Sequence, residues 1–111
     1  MTNISKYDVV VVKFPFASSL KYKARPAIVI SSDLYNQNER NTVLILAISS
    51  SYTNKLNFEM NILDWENSGL LKPSIFKSAI ATIEKEFVIT KIGKLSQRDI
   101  RQLEDLIEIM C

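Results

Sequence analysis

An arginine and a pair of serines bracket the two most apolar stretches of this chain. Arg25 stands before Pro26 and the run Ala27, Ile28, Val29, Ile30, and the apolar run of residues 43–48 ends in Ser49 and Ser50. If both runs are buried strands, the arginine arrives at the start of one and the hydroxyls at the end of the other. That combination suits phosphate. A guanidinium can grip two phosphate oxygens at once, and a hydroxyl can complete the grip. The same spacing also fits a surface arginine beside two ordinary core strands.

Other chemistries are closed off by composition. The chain has no histidine, which excludes histidine-based triads, histidine metal sites and a paired-histidine ribonuclease mechanism. Its one cysteine, Cys111, is the last residue, so no internal disulfide can form and a reducing compartment is expected. A zinc site would need carboxylates alone, which zinc seldom uses; neither metal nor cofactor is expected. Asp64 and Glu66 flank Trp65, and Glu84 and Glu86 flank Lys85. Either pair has the chemistry for proton transfer, but solvated turn charges explain both more simply. No glycine-rich phosphate loop or dinucleotide fingerprint is present.

The remaining composition is that of an ordinary globule, with 47% hydrophobic and 23% charged residues among 111. One domain over residues 1–111 is expected. With a net charge of +2, any basic site must be local. The first residues lack a signal-peptide apolar region, and residues 9–12 are far too few to span a bilayer. A cytoplasmic protein without a membrane partner is expected.

The elements that must position Arg25 and Ser49 are mostly strands. Residues 7–14 are valine-rich and end before Pro15, so they read as a buried strand. Residues 16–24 read as a mobile loop and residues 25–31 as the second strand, with Pro26 near its start or on an edge. Residues 32–41 form a polar connection with room for a helical turn, and residues 42–49 the third strand. Residues 57–62 alternate: Phe58, Met60 and Ile62 face one way, Asn57, Glu59 and Asn61 the other. Gly69 and Pro73 punctuate a turn region. Residues 75–83 and 87–92 are two further strands. Ser96 opens the one strong helix, with Asp99 in the place of the usual capping-box Glu or Gln. Ile100, Leu103, Leu106, Ile107 and Met110 make its apolar stripe, and Gln97, Asp99, Arg101, Gln102, Glu104, Asp105 and Glu108 its polar face. Gly93 suits a tight approach into that helix. Short strands followed by one terminal helix predict a mainly β fold, with an SH3-like barrel the natural candidate at this length.

Five segments, in order, resemble the MazF/PemK family, the toxin half of bacterial toxin–antitoxin pairs. They are Asp8-Val9-Val10-Val11, KARPAIVISSD (residues 23–33), VLILAISS (43–50), GLLKPS (69–74) and IGKLS (92–96). The resemblance implies an SH3-like barrel of the MazF/PemK/CcdB type with a C-terminal helix. It implies a homodimer that cuts single-stranded RNA at short sequences without metal, leaving a 2′,3′-cyclic phosphate and a 5′-hydroxyl. By the same resemblance Arg25 and Ser49 are catalytic, Ser49 standing where the family has threonine. A small acidic antitoxin is the implied partner, with DNA contacted only through the antitoxin complex. Lys21, Lys23, Lys55 and Lys77 are candidates to line an RNA-backbone groove beside Ser50, and Phe16 or Tyr52 to stack a base; each also reads as a plain surface or core residue.

Two departures stand out. Tyr7 occupies a position where the family usually has glycine. Ser78 and Ala79 fall where several members carry an acid followed by glutamine. Three functions therefore remain open: a ribonuclease toxin, a non-catalytic binder such as the gyrase-poisoning relatives, and a degenerate toxin kept for its antitoxin contacts. Arg25 favours the first; the missing carboxylate near Ser78 favours the third.

Overall fold

The computed structural model describes residues 4–15, 22–50 and 59–110, apart from the side chains of Phe14, Pro15, Tyr22 and Lys23. The described strands are β1 (Asp8–Pro15), β2 (Tyr22–Val29), β3 (Thr42–Ser49), β4 (Met60–Asn61), β5 (Ile75–Glu84) and β6 (Val88–Lys94), followed by the helix α1 (Gln97–Met110). They form one antiparallel sheet in the order β4-β5-β3-β2-β1-β6. Among the described residues no helix is long and apolar enough to cross a membrane.

The sheet cannot be flat. β5 and β6 lie on either side of β3, β2 and β1, four strand spacings or ~19 Å apart in a plane. Yet only the single 3-10 turn Lys85–Phe87 joins them, and a link that short spans at most ~14 Å. The sheet must therefore curl until its flanks approach. Irregular register between β1 and β6 at Val9/Val10 and Val11/Val12 sharpens the bend. The curled interior is an all-aliphatic core of Val10, Val12, Ala27, Val29, Val43 and Ile45, with Ala81 and Ile83 of β5 and Val88 of β6 packed against it from the two flanks. This is the barrel-like, mainly β architecture expected from the strand pattern.

The opposite face carries the second core. Val9, Ile28, Leu46, Ile48 and Phe76 meet Leu103 and Leu106 of α1, while Ile100, Ile107 and Met110 pack at its margin. The helical stripe is thus buried on the chain's own sheet. Ser96 caps α1, its Oγ accepting the Asp99 amide at 3.3 Å. Asp99, however, does not lie on a wet face. It is fully buried, and its carboxylate accepts the amides of Leu63 and Asp64 at 2.8 Å each. A carboxylate has capacity for several donors, and here it uses it to anchor the turn of residues 63–69 to the helix.

Several boundaries move from their expected places. β2 begins at Tyr22, inside the predicted loop, because residues 22–24 pair with β1. Pro26 is in an interior strand, opposite Val11 of β1. It is tolerated because the β2–β3 ladder stops at Ala27 and Ala47. Ile30 donates its amide to Leu44 of β3; amides two residues apart point the same way, so the nitrogen of Pro26 also faces β3. It has no hydrogen to donate, and the seam between β2 and β3 opens there. β4 contains only Met60 and Asn61, since β5 offers it only Ile75 and Phe76. Glu59 is buried rather than wet, and Asn57 and Phe58 lie outside the described residues, as does Cys111.

Tyr7, Gly69 and Gly93 are strained or crowded backbone positions. Tyr7 has φ 73°, a left-handed conformation that costs an ordinary residue roughly 1–2 kcal/mol. Three bonds hold it: its amide donates to Val29 at 2.7 Å, its carbonyl accepts from Leu95 at 3.1 Å, and its hydroxyl donates to Glu104 Oε2 at 2.7 Å. Gly69 (φ 89°) and Gly93 face each other so closely that a Cβ on Gly69 would sit 2.1 Å from the Ile92 carbonyl oxygen, and one on Gly93 2.2 Å from that of Ser68. The tight approach of Gly93 is therefore to this turn rather than to α1. Gly93→Ala is expected to lose at least ~2 kcal/mol, read as a lower urea midpoint, and Gly69→Ala more because its φ is also strained. A Gly93→Ala protein as stable as the parent would contradict this contact.

Candidate functional site

The open seam at Pro26 becomes a pocket. On one side stand Val11, Arg25 and Pro26; on another, Ile48, Ser49 and Ser50 at the end of β3; Gly69, Leu70, Leu71, Lys72 and Ser74 close it, with Ile92 of β6. Its volume is about 390 Å³, within the range of small-ligand sites. Arg25, Ser49 and Ser50 are thus brought to one place, as their spacing predicts. Arg25 and Ser50 are exposed and Ser49 is half-buried at the end of β3.

The pocket's charge is one-sided. Among the described residues its lining holds one guanidinium, one ammonium and three hydroxyls, and no carboxylate. The segments 16–21 and 51–58, outside the described residues, contain no acidic residue either. Hard anionic oxygens fit such a donor set; a metal cation does not. Apolar side chains from Val11, Pro26, Ile48, Leu70, Leu71 and Ile92 supply the rest of the surface.

The other predicted contacts divide three ways. Lys77 is half-buried on β5 and does not line the pocket. Lys23 belongs to β2, but its side chain lies outside the described residues, as do Lys21, Lys55, Phe16 and Tyr52 entirely. Ser78 and Ala79 are exposed on β5 and contribute nothing to the lining. Lys72 and Ser74 were missed. Their sequence signal is GLLKPS, read above as a turn and as one of the five segments that resemble the family, with no role assigned to either residue.

That turn is held from outside the pocket. Leu70 donates to the Trp65 carbonyl at 3.0 Å and Gly69 to that of Glu66 at 3.2 Å. Asp64 receives Arg98 in a two-pronged grip, Nε to Oδ2 at 2.7 Å and Nη2 to Oδ1 at 2.6 Å, and Ser96 Oγ donates to Oδ2 at 2.6 Å. These hydrogen bonds, Arg98's first, draw the Asp64 carboxyl down to about 2 from 3.8. Its pKa is lower in the folded chain, so the contribution is present above about pH 4 and disappears as pH falls from about 4 toward 2. The stability difference between the parent and Arg98→Ala, read from urea midpoints, is expected to shrink across that interval. A difference that stays constant from pH 5 to pH 2 would contradict this account.

Comparison with known proteins agrees with this architecture. A family model described as PemK-like, MazF-like toxin of type II toxin–antitoxin system matches residues 5–111. No curated protein sequence matches significantly. Among solved structures, MazF from Deinococcus radiodurans is 12% identical, with 99% of this chain and 97% of that one covered at a TM-score of 0.77. The Mycobacterium tuberculosis toxin MazF-mt6 is 21% identical, with 90% and 91% covered at a TM-score of 0.71. A mycobacterial endoribonuclease solved in complex with its cognate antitoxin is 14% identical, with 96% and 91% covered at a TM-score of 0.71.

Proposed function

The chain belongs to the PemK-like, MazF-like family of type II toxin–antitoxin toxins, and from that premise we propose that it is a metal-independent endoribonuclease acting on single-stranded RNA at the Arg25 pocket. The observation that carries this reading is the meeting of Arg25, Ser49 and Ser50 in one pocket without a carboxylate. The nucleophile is the RNA's own 2′-hydroxyl. It attacks the adjacent phosphorus, the bond to the 5′-oxygen breaks, and the products are a 2′,3′-cyclic phosphate and a 5′-hydroxyl. The 2′-proton leaves to solvent and the departing oxygen gains one. DNA lacks this nucleophile and is spared.

With no imidazole in the chain and no carboxylate in the lining, the protein contributes position and charge. The guanidinium of Arg25 neutralises the two non-bridging oxygens as charge builds there. Ser49 Oγ takes one of those oxygens and Ser50 aids in aligning the strand, so that the 2′-oxygen lies in line with the leaving group. The lack of a carboxylate at Ser78 and Ala79 favours a second reading, a degenerate toxin kept for its antitoxin contacts. The mycobacterial relative solved with its antitoxin supports, by kinship, an antitoxin partner here. A two-fold homodimer is the assembly we propose, and light scattering showing a monomer at micromolar concentration would contradict it.

Arg25→Lys keeps the charge and loses the planar grip, so cleavage of mixed-sequence RNA in EDTA is expected to fall roughly 100- to 1000-fold. Ser49→Ala is expected to be milder, and Ser49→Thr to match or exceed the parent. Full activity in Arg25→Ala, or none in the parent until metal is added, would overturn the proposal.

A further inference from the structure

We propose that Lys72 is a second cationic contact for the RNA backbone in the Arg25 pocket, reaching the bound strand from the wall made by the 69–74 turn. This rests on the RNA reading above and adds a residue to it.

Lys72 is exposed, but the backbone that carries it is fixed on both sides. Before it, Leu70 is buried and Gly69 is wedged against the Ile92–Gly93 backbone. After it, the buried Ser74 donates its hydroxyl to the Lys72 carbonyl at 2.8 Å, and the Ser74 carbonyl accepts the Ile62 amide at 2.9 Å. The next residue, Ile75, pairs with Ser49 across the β3–β5 ladder. Lys72 thus departs from a built turn three residues from the cross-strand partner of the phosphate-binding serine. Mobile surface lysines have no such support.

Among the described residues its ammonium has nothing to neutralise it. The cations in ion pairs among the described residues are Lys91, with the buried Asp8 at 3.3 Å, and Arg98, with Asp64. Lys72 and Arg25 have no such partner, and the lining they share contains no acid. Two like charges facing one partly apolar pocket repel each other, which an anion between them reverses. Leu71 beside Lys72 is 93% exposed, an apolar surface that the sugar or base of a nucleotide would cover once its phosphate is held.

A mixed-sequence 2′-O-methyl RNA, which lacks the nucleophile and stays uncut, reads the contact directly. Its affinity is measured against salt for the full chain, Lys72→Met, Lys72→Arg and Arg25→Ala, with cleavage of unmodified RNA in parallel. Loss of one phosphate contact lowers the slope of log affinity on log salt by about 0.7 for a single strand. Lys72→Met is expected to show that drop, several-fold weaker binding at low salt and slower cleavage. Lys72→Arg is expected to restore the slope, which a merely structural role would not do. An unchanged slope in Lys72→Met, with a reduced one in Arg25→Ala, would overturn the role of Lys72 and leave the pocket reading standing. A parent chain that neither binds nor cuts RNA would overturn both.

Discussion

A three-residue link between strands on opposite flanks of the sheet is the constraint on which the rest of this structure depends. Lys85–Phe87 is too short to join β5 and β6 unless the sheet curls. The curl encloses Val10, Val12, Ala27, Val29, Val43 and Ile45 without needing a second layer. It also turns the other face outward, where Leu103 and Leu106 of α1 cover Val9, Ile28, Leu46 and Phe76. A chain of 111 residues thereby fills two small cores with one sheet and one helix, an economical answer to the surface burden of small domains.

The pocket follows from a local failure within that sheet. β2 and β3 pair over Ala27–Val29 and then part, because Pro26 has no amide hydrogen for the next rung. The parting opens a common space between the middle of β2, where Arg25 lies, and the end of β3, with Ser49 and the following Ser50. Gly69 and Gly93 let the far wall approach with no side chain between. The Asp99 carboxylate and the Asp64–Arg98 pair hold that wall's turn to the start of α1. Fold and site therefore share the same few contacts, and the helix, though outside the pocket, shapes it.

Much of this was legible in the sequence because it is local. The 3.6-residue period of α1, the valine-rich first strand and the two apolar runs report their own structure through side-chain patterning. The same runs carry Arg25 and Ser49 at their ends, so the pocket's centre could be read from them. What escaped depends on partners distant in the chain. Asp99 reads as an exposed helix residue until the amides of Leu63 and Asp64, some 35 positions away, are placed over it. Glu59 fits an alternating strand on paper, yet pairing ends two residues later and the residue is buried. The tyrosine at position 7 does not itself signal the positive φ found there, although the glycine usual in the family at that position does; the bonds to Val29, Leu95 and Glu104 that hold it there all span the fold. Lys72 was hidden for the same reason, its turn being brought to Arg25 by the Gly69–Gly93 approach and by the pairing of Ile75 with Ser49.

In the proposed reaction a pocket of cationic and hydroxyl groups promotes attack by RNA's own 2′-hydroxyl. The most direct measurement is the chemistry of the product ends after the purified chain has acted on single-stranded RNA in EDTA, resolved by mass spectrometry. The account predicts a 2′,3′-cyclic phosphate on one fragment and a 5′-hydroxyl on the other, with a fully 2′-O-methylated strand left intact. Fragments bearing a 3′-hydroxyl and a 5′-phosphate, or cutting of the methylated strand, would contradict it.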